Sequence, residues 1–407
     1  MKKMLSLTLA LLLGLTGVTA FAAEPGLRDY QPLKELAAPH GFLMGAPLSY
    51  NQLADPVYLM TIRHHFDTIT CTNEMKAYSL LDLRATQAAG DGMPRMNFTQ
   101  ADKMVEFAMN NGMRVRGHVL VWDAYMTQWF FHEDFDVTKP IADRETLLAR
   151  MKYYIEAVIT HFEEKYPGVV YCWDVVNEAV GDNASEWAVG DPRHVRTMRS
   201  GGINPFYEYV GPDYVEYAFL FAADTVEALG ADIGLFYNDY NMFFSGKREA
   251  AIALVKSINS FATDAEGNPR MLCTGIGMQG YIGGYGTQSG CMQESHLSDI
   301  KRSIQMFHDE LGIQVQLTEM AVRNYDETRV EEHGAFYQRL FKVFKSINRG
   351  QEEPILTSVA IWGLVDSPYE PKTSYNYKMN GTHGGLFGFR CTVKPAFLLV
   401  HEELMGE

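Results

Sequence analysis

Cysteine is scarce in this 407-residue chain. Cys71, Cys172, Cys273, Cys291 and Cys391 stand far apart, their number is odd, and no two share the short spacing of a zinc site or a redox pair. That excludes a disulfide framework and a cysteine metal centre as organising principles. Unpaired thiols are expected, with Cys71, Cys172 and Cys273 serving as small apolar fillers in expected strands. Positive charge is also short: 35 Lys and Arg face 50 Asp and Glu, a net charge of −15. A chain without a basic face is not built for a nucleic-acid backbone, and it disfavours a polyanionic substrate. Beyond the N-terminus no apolar run reaches membrane length, so no membrane span is expected. No repeat or low-complexity linker divides the chain, which leaves one long domain as the simplest organisation.

What is present begins with an export signal. Lys2 and Lys3 precede an apolar stretch over 5–18, and Ala20-Phe21-Ala22 has the small-residue pattern of a cleavage site. Residues 1–22 are therefore expected to be a cleaved signal peptide, and 23–407 the mature domain, secreted to the extracellular space or the periplasm. No cysteine sits at the cleavage site, so no lipid anchor is indicated. Further on, β-branched apolar runs alternate with longer helical patterns. Strands are expected at 41–46, 66–72, 114–121, 169–177, 233–238, 273–279, 314–318 and 358–362. Helices are expected at 99–110, opened by Thr99, and at 144–165, 213–229, 247–260, 297–311, 330–347 and 394–404. Eight strands alternating with helices give a (β/α)8 TIM barrel, whose active sites sit at the C-terminal ends of the strands. Long βα loops follow the fourth strand, at 181–212, and the eighth, at 367–389, and are expected to wall a cleft.

Two of these strands share a design. Val169-Val170-Tyr171-Cys172-Trp173-Asp174-Val175-Val176-Asn177-Glu178 is an apolar run that ends in a carboxylate, and Ile313-Gln314-Val315-Gln316-Leu317-Thr318-Glu319 is another. A lone glutamate at a strand end is ordinarily a solvated loop residue or a salt-bridge partner. Two in one chain suggest the paired carboxylates of glycoside hydrolysis. A neutral polysaccharide fits the charge balance, and 22 Tyr, 23 Phe and 5 Trp include enough aromatic surface for sugar stacking, although most must be core.

The residues around these glutamates carry a family resemblance. Trp173-Asp174-Val175-Val176-Asn177-Glu178-Ala179 resembles the acid/base motif of glycoside hydrolase family 10, the endo-β-1,4-xylanases. In the family's order, Thr72-Asn73-Glu74-Met75-Lys76 resembles E-N-x-M-K and Arg116-Gly117-His118-Val119-Leu120-Val121-Trp122 resembles R-G-H-T-L-V-W. Tyr237-Asn238-Asp239-Tyr240-Asn241 matches Y-N-D-Y-N, and Gly275-Ile276-Gly277-Met278-Gln279 resembles the sixth-strand motif. Leu317-Thr318-Glu319 resembles I-T-E, and Ile361-Trp362-Gly363 resembles V-W-G. The resemblance implies Glu178 as general acid/base, Glu319 as nucleophile, and Asn177 as donor to the sugar 2-hydroxyl. It places Asn73, Lys76, His118, Trp122, Gln279 and Trp362 along the sugar subsites. It implies no metal and no organic cofactor.

Departures from the pattern are as informative. Thr72 stands where the family has Glu, and Asp123 and Tyr125 stand where it has His and Gln after the tryptophan. Tyr281 replaces the His of Q-S-H, and Ala321 the Asp of T-E-L-D. In the family that His and Asp form a bonded pair steering the nucleophile. Their joint loss points to a rewired support shell, because losing one alone would strand a polar group. The phenols of Tyr281 or Tyr125 are candidate donors to Glu319, which adds Tyr281 to the expected substrate-site residues. The expected protein is thus a secreted, monomeric, retaining glycosidase that cleaves internal β-1,4 bonds of xylan. Two alternatives are a hydrolase of a decorated or different β-linked glycan, and a catalytically weak xylan-binding protein.

Overall fold

The computed structural model describes residues 25–199, 201–282 and 292–406. The expected signal peptide and Cys291 lie outside these residues. Eight parallel strands form a closed ring: β1 Leu43–Leu48, β2 Thr68–Cys71, β3 Arg114–Val121, β4 Val170–Asn177, β5 Gly234–Tyr240, β6 Gly275–Gln279, β7 Gln314–Val322 and β8 Leu356–Ile361. Each pairs with the next in sequence, and β8 pairs with both β7 and β1, which closes the barrel. The (β/α)8 fold is the one expected.

Helices cover the outside because their apolar faces demand it. In Arg144–Lys165, Leu147, Met151, Tyr154, Ile155, Val158, Ile159 and Phe162 recur at helical spacing and are all buried. Burying a large apolar side chain contributes about 1.5–3 kcal/mol. Asp143 caps the start, its side chain accepting from the Thr146 amide at 2.9 Å. Thr99, by contrast, does not cap its helix: it is the first helical residue of Thr99–Asn110 and follows Phe98.

Three expected boundaries move for physical reasons. β1 begins at Leu43 because Gly41, at φ +82°, ends the turn Ala38–His40. β7 runs to Val322 because a short strand, Tyr281–Ile282, continues beyond β6 and pairs with Ala321 and Val322. Cys273 falls just before β6, with its amide held at 2.7 Å by Asn259 Oδ1. Cys71, Cys172, Cys273 and Cys391 are free thiols, and the first three are buried. Among the α-helices that were not expected, Pro56–His65 is the longest. Pro56–His65 is capped by Asp55, whose Oδ1 accepts from the Val57 and Tyr58 amides at 3.0 and 3.1 Å.

The barrel interior is partly polar. Arg116 from β3 pairs with Asp174 from β4, and its Nη1 donates to Gln316 Oε1 of β7 at 2.6 Å. His118 Nδ1 lies 2.9 Å from Asp174 Oδ2. Glycines leave room for this network. A Cβ on Gly277 would collide with Asn238 Oδ1 and stand 2.8 Å from Arg116 Nη2. Among the described residues no helix is long and apolar enough to cross a membrane.

Candidate active site

A cleft of about 450 Å³ opens at the C-terminal ends of the strands, and both glutamates line it. Glu178 is the first residue after β4. Its backbone turns left-handed there, at φ +55°, with its amide fixed to the Asn238 carbonyl at 2.8 Å. A non-glycine residue held at positive φ is uncommon and is kept there only by its surroundings. The residue is 8% exposed. Gln279 Nε2 donates to its Oε1 at 3.1 Å, and Arg199 Nη1 to its Oε2 at 3.0 Å. Burial raises the Glu178 pKa above the ordinary carboxylate value; Arg199 opposes this, Asp239 adds to it, Lys247 opposes it and Glu319 adds to it. A carboxyl group pushed up in this way can carry a proton for donation.

Glu319 lies within β7, near its C-terminal end, and is 7% exposed. Tyr281 donates its hydroxyl to Glu319 Oε2. The pairing of Ala321 with Tyr281 across adjacent strands brings the phenol to this position. The two departures from the family pattern are therefore direct neighbours. Where the family pattern has an Asp–His pair, this chain has a small methyl group and a phenol, in an apolar cluster with Met379 that Trp362 and Tyr240 cover. Tyr125, the other candidate donor, packs against Trp122 with ring centroids 4.4 Å apart and planes tilted by 46°.

The remaining expected residues divide into two layers. Asn73, Lys76, His118, Trp122 and Trp362 line the cleft with Tyr281. Lys76 Nζ donates to Asn73 Oδ1 at 3.2 Å and sits over the rings of Trp122 and Tyr125, 5.2 and 4.4 Å from their centroids. Burial lowers the Lys76 pKa, against the pull of Glu319, Glu178 and Glu74. Asn177 and Gln279 lie beneath this layer, 1% and 2% exposed. Asn177 Oδ1 accepts from Asn238 Nδ2 at 2.8 Å and from Gln279 Nε2 at 3.2 Å, which fixes the amide's orientation. Its Nδ2 is buried and has no hydrogen-bond acceptor among the described residues. A buried donor without an acceptor is costly unless a ligand supplies one, and a sugar hydroxyl would.

Other cleft residues were not foreseen individually. Tyr375, Asn376 and Asn380 come from the 367–389 loop, through its helix Tyr375–Asn380. The aromatic and amide content of that loop was visible in the sequence, but its placement depends on the fold. Arg199 comes from the 181–212 loop, on a hairpin that pairs Met198–Arg199 with Gly202–Ile203. Its partner Asp123 was legible as a departure from the family pattern, whereas the arginine itself carried no signal. Among the described residues, no group of three or more His, Cys, Asp or Glu is placed to hold a metal ion.

Comparison with known proteins agrees with this geometry. The sequence model of glycosyl hydrolase family 10 matches residues 32–403. A putative endo-1,4-beta-xylanase of Caldicellulosiruptor saccharolyticus is 32% identical over 330 residues, covering 79% of this chain and 95% of that protein. Endo-1,4-beta-xylanase A of Thermotoga maritima is 32% identical over 349 residues, 83% of this chain but 28% of the longer relative. Among solved structures, an intracellular xylanase of Thermoanaerobacterium saccharolyticum superposes with a TM-score of 0.70 at 28% identity, covering 91% of this chain and 98% of that one. A barrel of this topology, with two buried glutamates facing one cleft and a family match over nearly its whole length, places the chain in glycosyl hydrolase family 10.

Proposed function

We propose that this protein cleaves internal β-1,4-xylosidic bonds of xylan with retention of configuration, as a monomer exported from the cytoplasm. The observation that carries the reading is the pair of unlike carboxyl environments in one cleft. Glu178 is buried and biased towards its protonated form. Glu319 accepts a hydrogen bond from the Tyr281 phenol, which holds one of its oxygens in place. In the first half of the reaction Glu319 bonds to the anomeric carbon while Glu178 protonates the departing oxygen. In the second half water attacks that carbon, gives its proton to Glu178 and releases Glu319. Asn177 Nδ2, buried and without an acceptor among the described residues, supports the donor role towards the sugar 2-hydroxyl. The relatives' names favour xylan as the substrate. A pure binding protein has no need of two buried glutamates facing one cleft, one of them biased towards protonation.

The test is reducing-sugar release from xylan by the purified protein, with proton NMR of fresh hydrolysate. The first product is expected as the β-anomer, and an initial α-anomer would rule out double displacement. Glu178→Gln should nearly abolish xylan cleavage yet cost less on an aryl glycoside, whose leaving group needs little protonation. Glu319→Gln should abolish both. Equal losses of Glu178→Gln on the two substrates would count against the acid assignment. Export is supported by Lys2, Lys3, the apolar 5–18 stretch and Ala20-Phe21-Ala22. It predicts an N-terminus at Ala23 in protein recovered outside the cytoplasm, and an intact Met1 in that fraction would oppose it.

A further inference from the structure

Glu178 is gripped from a side that the family motifs do not account for. Arg199 Nη1 donates to Glu178 Oε2 at 3.0 Å, and its Nη2 to the Glu178 carbonyl at 3.2 Å. On its other edge, Nε and Nη2 each donate to an oxygen of Asp123 at 2.8 Å. Such a bidentate fork fixes the plane of the guanidinium. The Asp123 side chain is 4% exposed and that of Arg199 21%, so water screens the chain of charges weakly. Asp123 follows β3 and Glu178 follows β4, while Arg199 descends from the hairpin of the 181–212 loop. The ionic chain Asp123–Arg199–Glu178 therefore joins two strand ends to an inserted loop at the reacting group.

We propose that Arg199 is a positioning residue that holds Glu178 as a carboxylate between the two halves of the reaction, with Asp123 moderating its charge. The inference rests on the reading of Glu178 as the acid/base. Once Glu178 has given its proton to the departing oxygen it is an anion in a buried site. It must stay aimed and basic until water arrives and returns a proton. A cation bonded to Oε2 lowers the energy of that anionic interval, and the second bond to the carbonyl holds the left-handed backbone that aims the side chain. Both hydrogen-bond partners of the carboxylate, Gln279 and Arg199, are donors and favour the anion, whereas burial favours the neutral acid. Asp239 and Glu319 push in the direction of burial and Lys247 against it. Lys76, Tyr125 and Tyr375 also face the carboxylate. Asp123 keeps the arginine from making the acid too strong to hold its proton in the first half.

The two partners of Arg199 thus predict opposite responses. Carbon-13 NMR of side-chain-labelled glutamate in the full-length protein, assigned with Glu178→Gln, follows the titration of Glu178 directly. Arg199→Met should move its midpoint to higher pH, Asp123→Asn to lower pH, and Arg199→Lys should leave it near wild type. The alkaline limb of the kcat/KM profile should move in the same sense in each variant. In Arg199→Met, kcat on an aryl xyloside limited by the second half should fall about tenfold, with KM falling alongside it as the covalent intermediate accumulates. If Arg199→Met does not fold, the downward movement in Asp123→Asn decides the matter. An unmoved midpoint in the variants that fold, with activity lost equally at every pH, would reduce Arg199 to a strut of the loop. The titration needs no substrate. Failure to cleave xylan would sink the proposed function and leave the arginine to be judged on the midpoints.

Discussion

At the scale of single residues, the support of Glu319, the proposed nucleophile, sets this chain apart from the family pattern. Tyr281 is 2% exposed and bonded to Glu319. A neutral phenol gives a hydrogen bond without bringing a charge that titrates near neutral pH. Tyr281→Phe should therefore lower kcat with little change in KM, by about 1–3 kcal/mol of transition-state stabilisation. Steady-state kinetics on xylan and on an aryl xyloside would check this, and wild-type turnover in the variant would leave Tyr281 a purely packing role. Because Ala321 pairs directly with Tyr281, Tyr281→His with Ala321→Asp should recover more activity than either change alone. The single Ala321→Asp would place a carboxylate in an apolar cluster with Met379 and without the histidine. The phenol at Glu319 was legible from side-chain chemistry as one of two candidates, and only the strand register separates Tyr281 from Tyr125.

At the scale of elements, the strands were legible where pattern and packing agree. Arg114–Val121 and the helices Thr99–Asn110 and Arg144–Lys165 have the expected bounds because their apolar spacing matches the face they bury. Boundaries failed where a long-range contact decides them, as in β7, which Tyr281–Ile282 extends beyond Thr318. Pro56–His65 had its signal in plain view: a capping Asp55 followed by Pro56 at the first turn. Its moderate apolar content and three basic residues at the end hid it. The loops were legible only as loops. That 181–212 would deliver Arg199 to Glu178, and that 367–389 would place Tyr375 on the cleft, depends on hairpin and helix geometry that no local pattern encodes. The register between β4, β5 and β6 then makes the site from separate motifs. Asn177 pairs with Asn238, and Tyr240 with Gln279, which lets one amide network orient Glu178. Gly277 is small because Asn238 occupies the space its side chain would need.

At the scale of the whole molecule, the chemistry and the fold pull in opposite directions with pH. An acid of the Glu178 kind works best while it is protonated, which favours lower pH. The fold contains buried histidines that oppose this. Burial pushes His65 down to about 3, aided by neighbouring His64, and pushes His333 down to about 3, aided by Lys394. The His65 ring is committed on both sides. Its Nδ1 accepts from the Leu33 amide at 3.3 Å, so the proton sits on Nε2, which donates to the Leu27 carbonyl at 3.1 Å. Protonating Nδ1 would break the first bond and weaken the hold of Pro56–His65 on the N-terminal segment. His333 Nε2 lies 2.8 Å from the carbonyl of Val322, at the end of the strand that carries Glu319. The sign follows from linkage. A histidine whose folded pKa lies below its unfolded value, about 6.5, stays neutral in the native state while the unfolded chain takes up a proton. Stability is then fully present above about pH 6.5 and falls as pH drops towards 3, by up to about 1.4 kcal/mol per pH unit for each such histidine. His65→Gln retains a donor and an acceptor but cannot be charged. It should cost some stability at pH 7.5 through imperfect packing, yet lose less between pH 6.5 and 4.5 than wild type does. Urea midpoints at three pH values would show this as a shallower slope, and parallel slopes would mean that His65 is not a source of acid lability. The pH at which this enzyme works best would then be bounded below by unfolding around buried imidazoles and above by loss of the Glu178 proton.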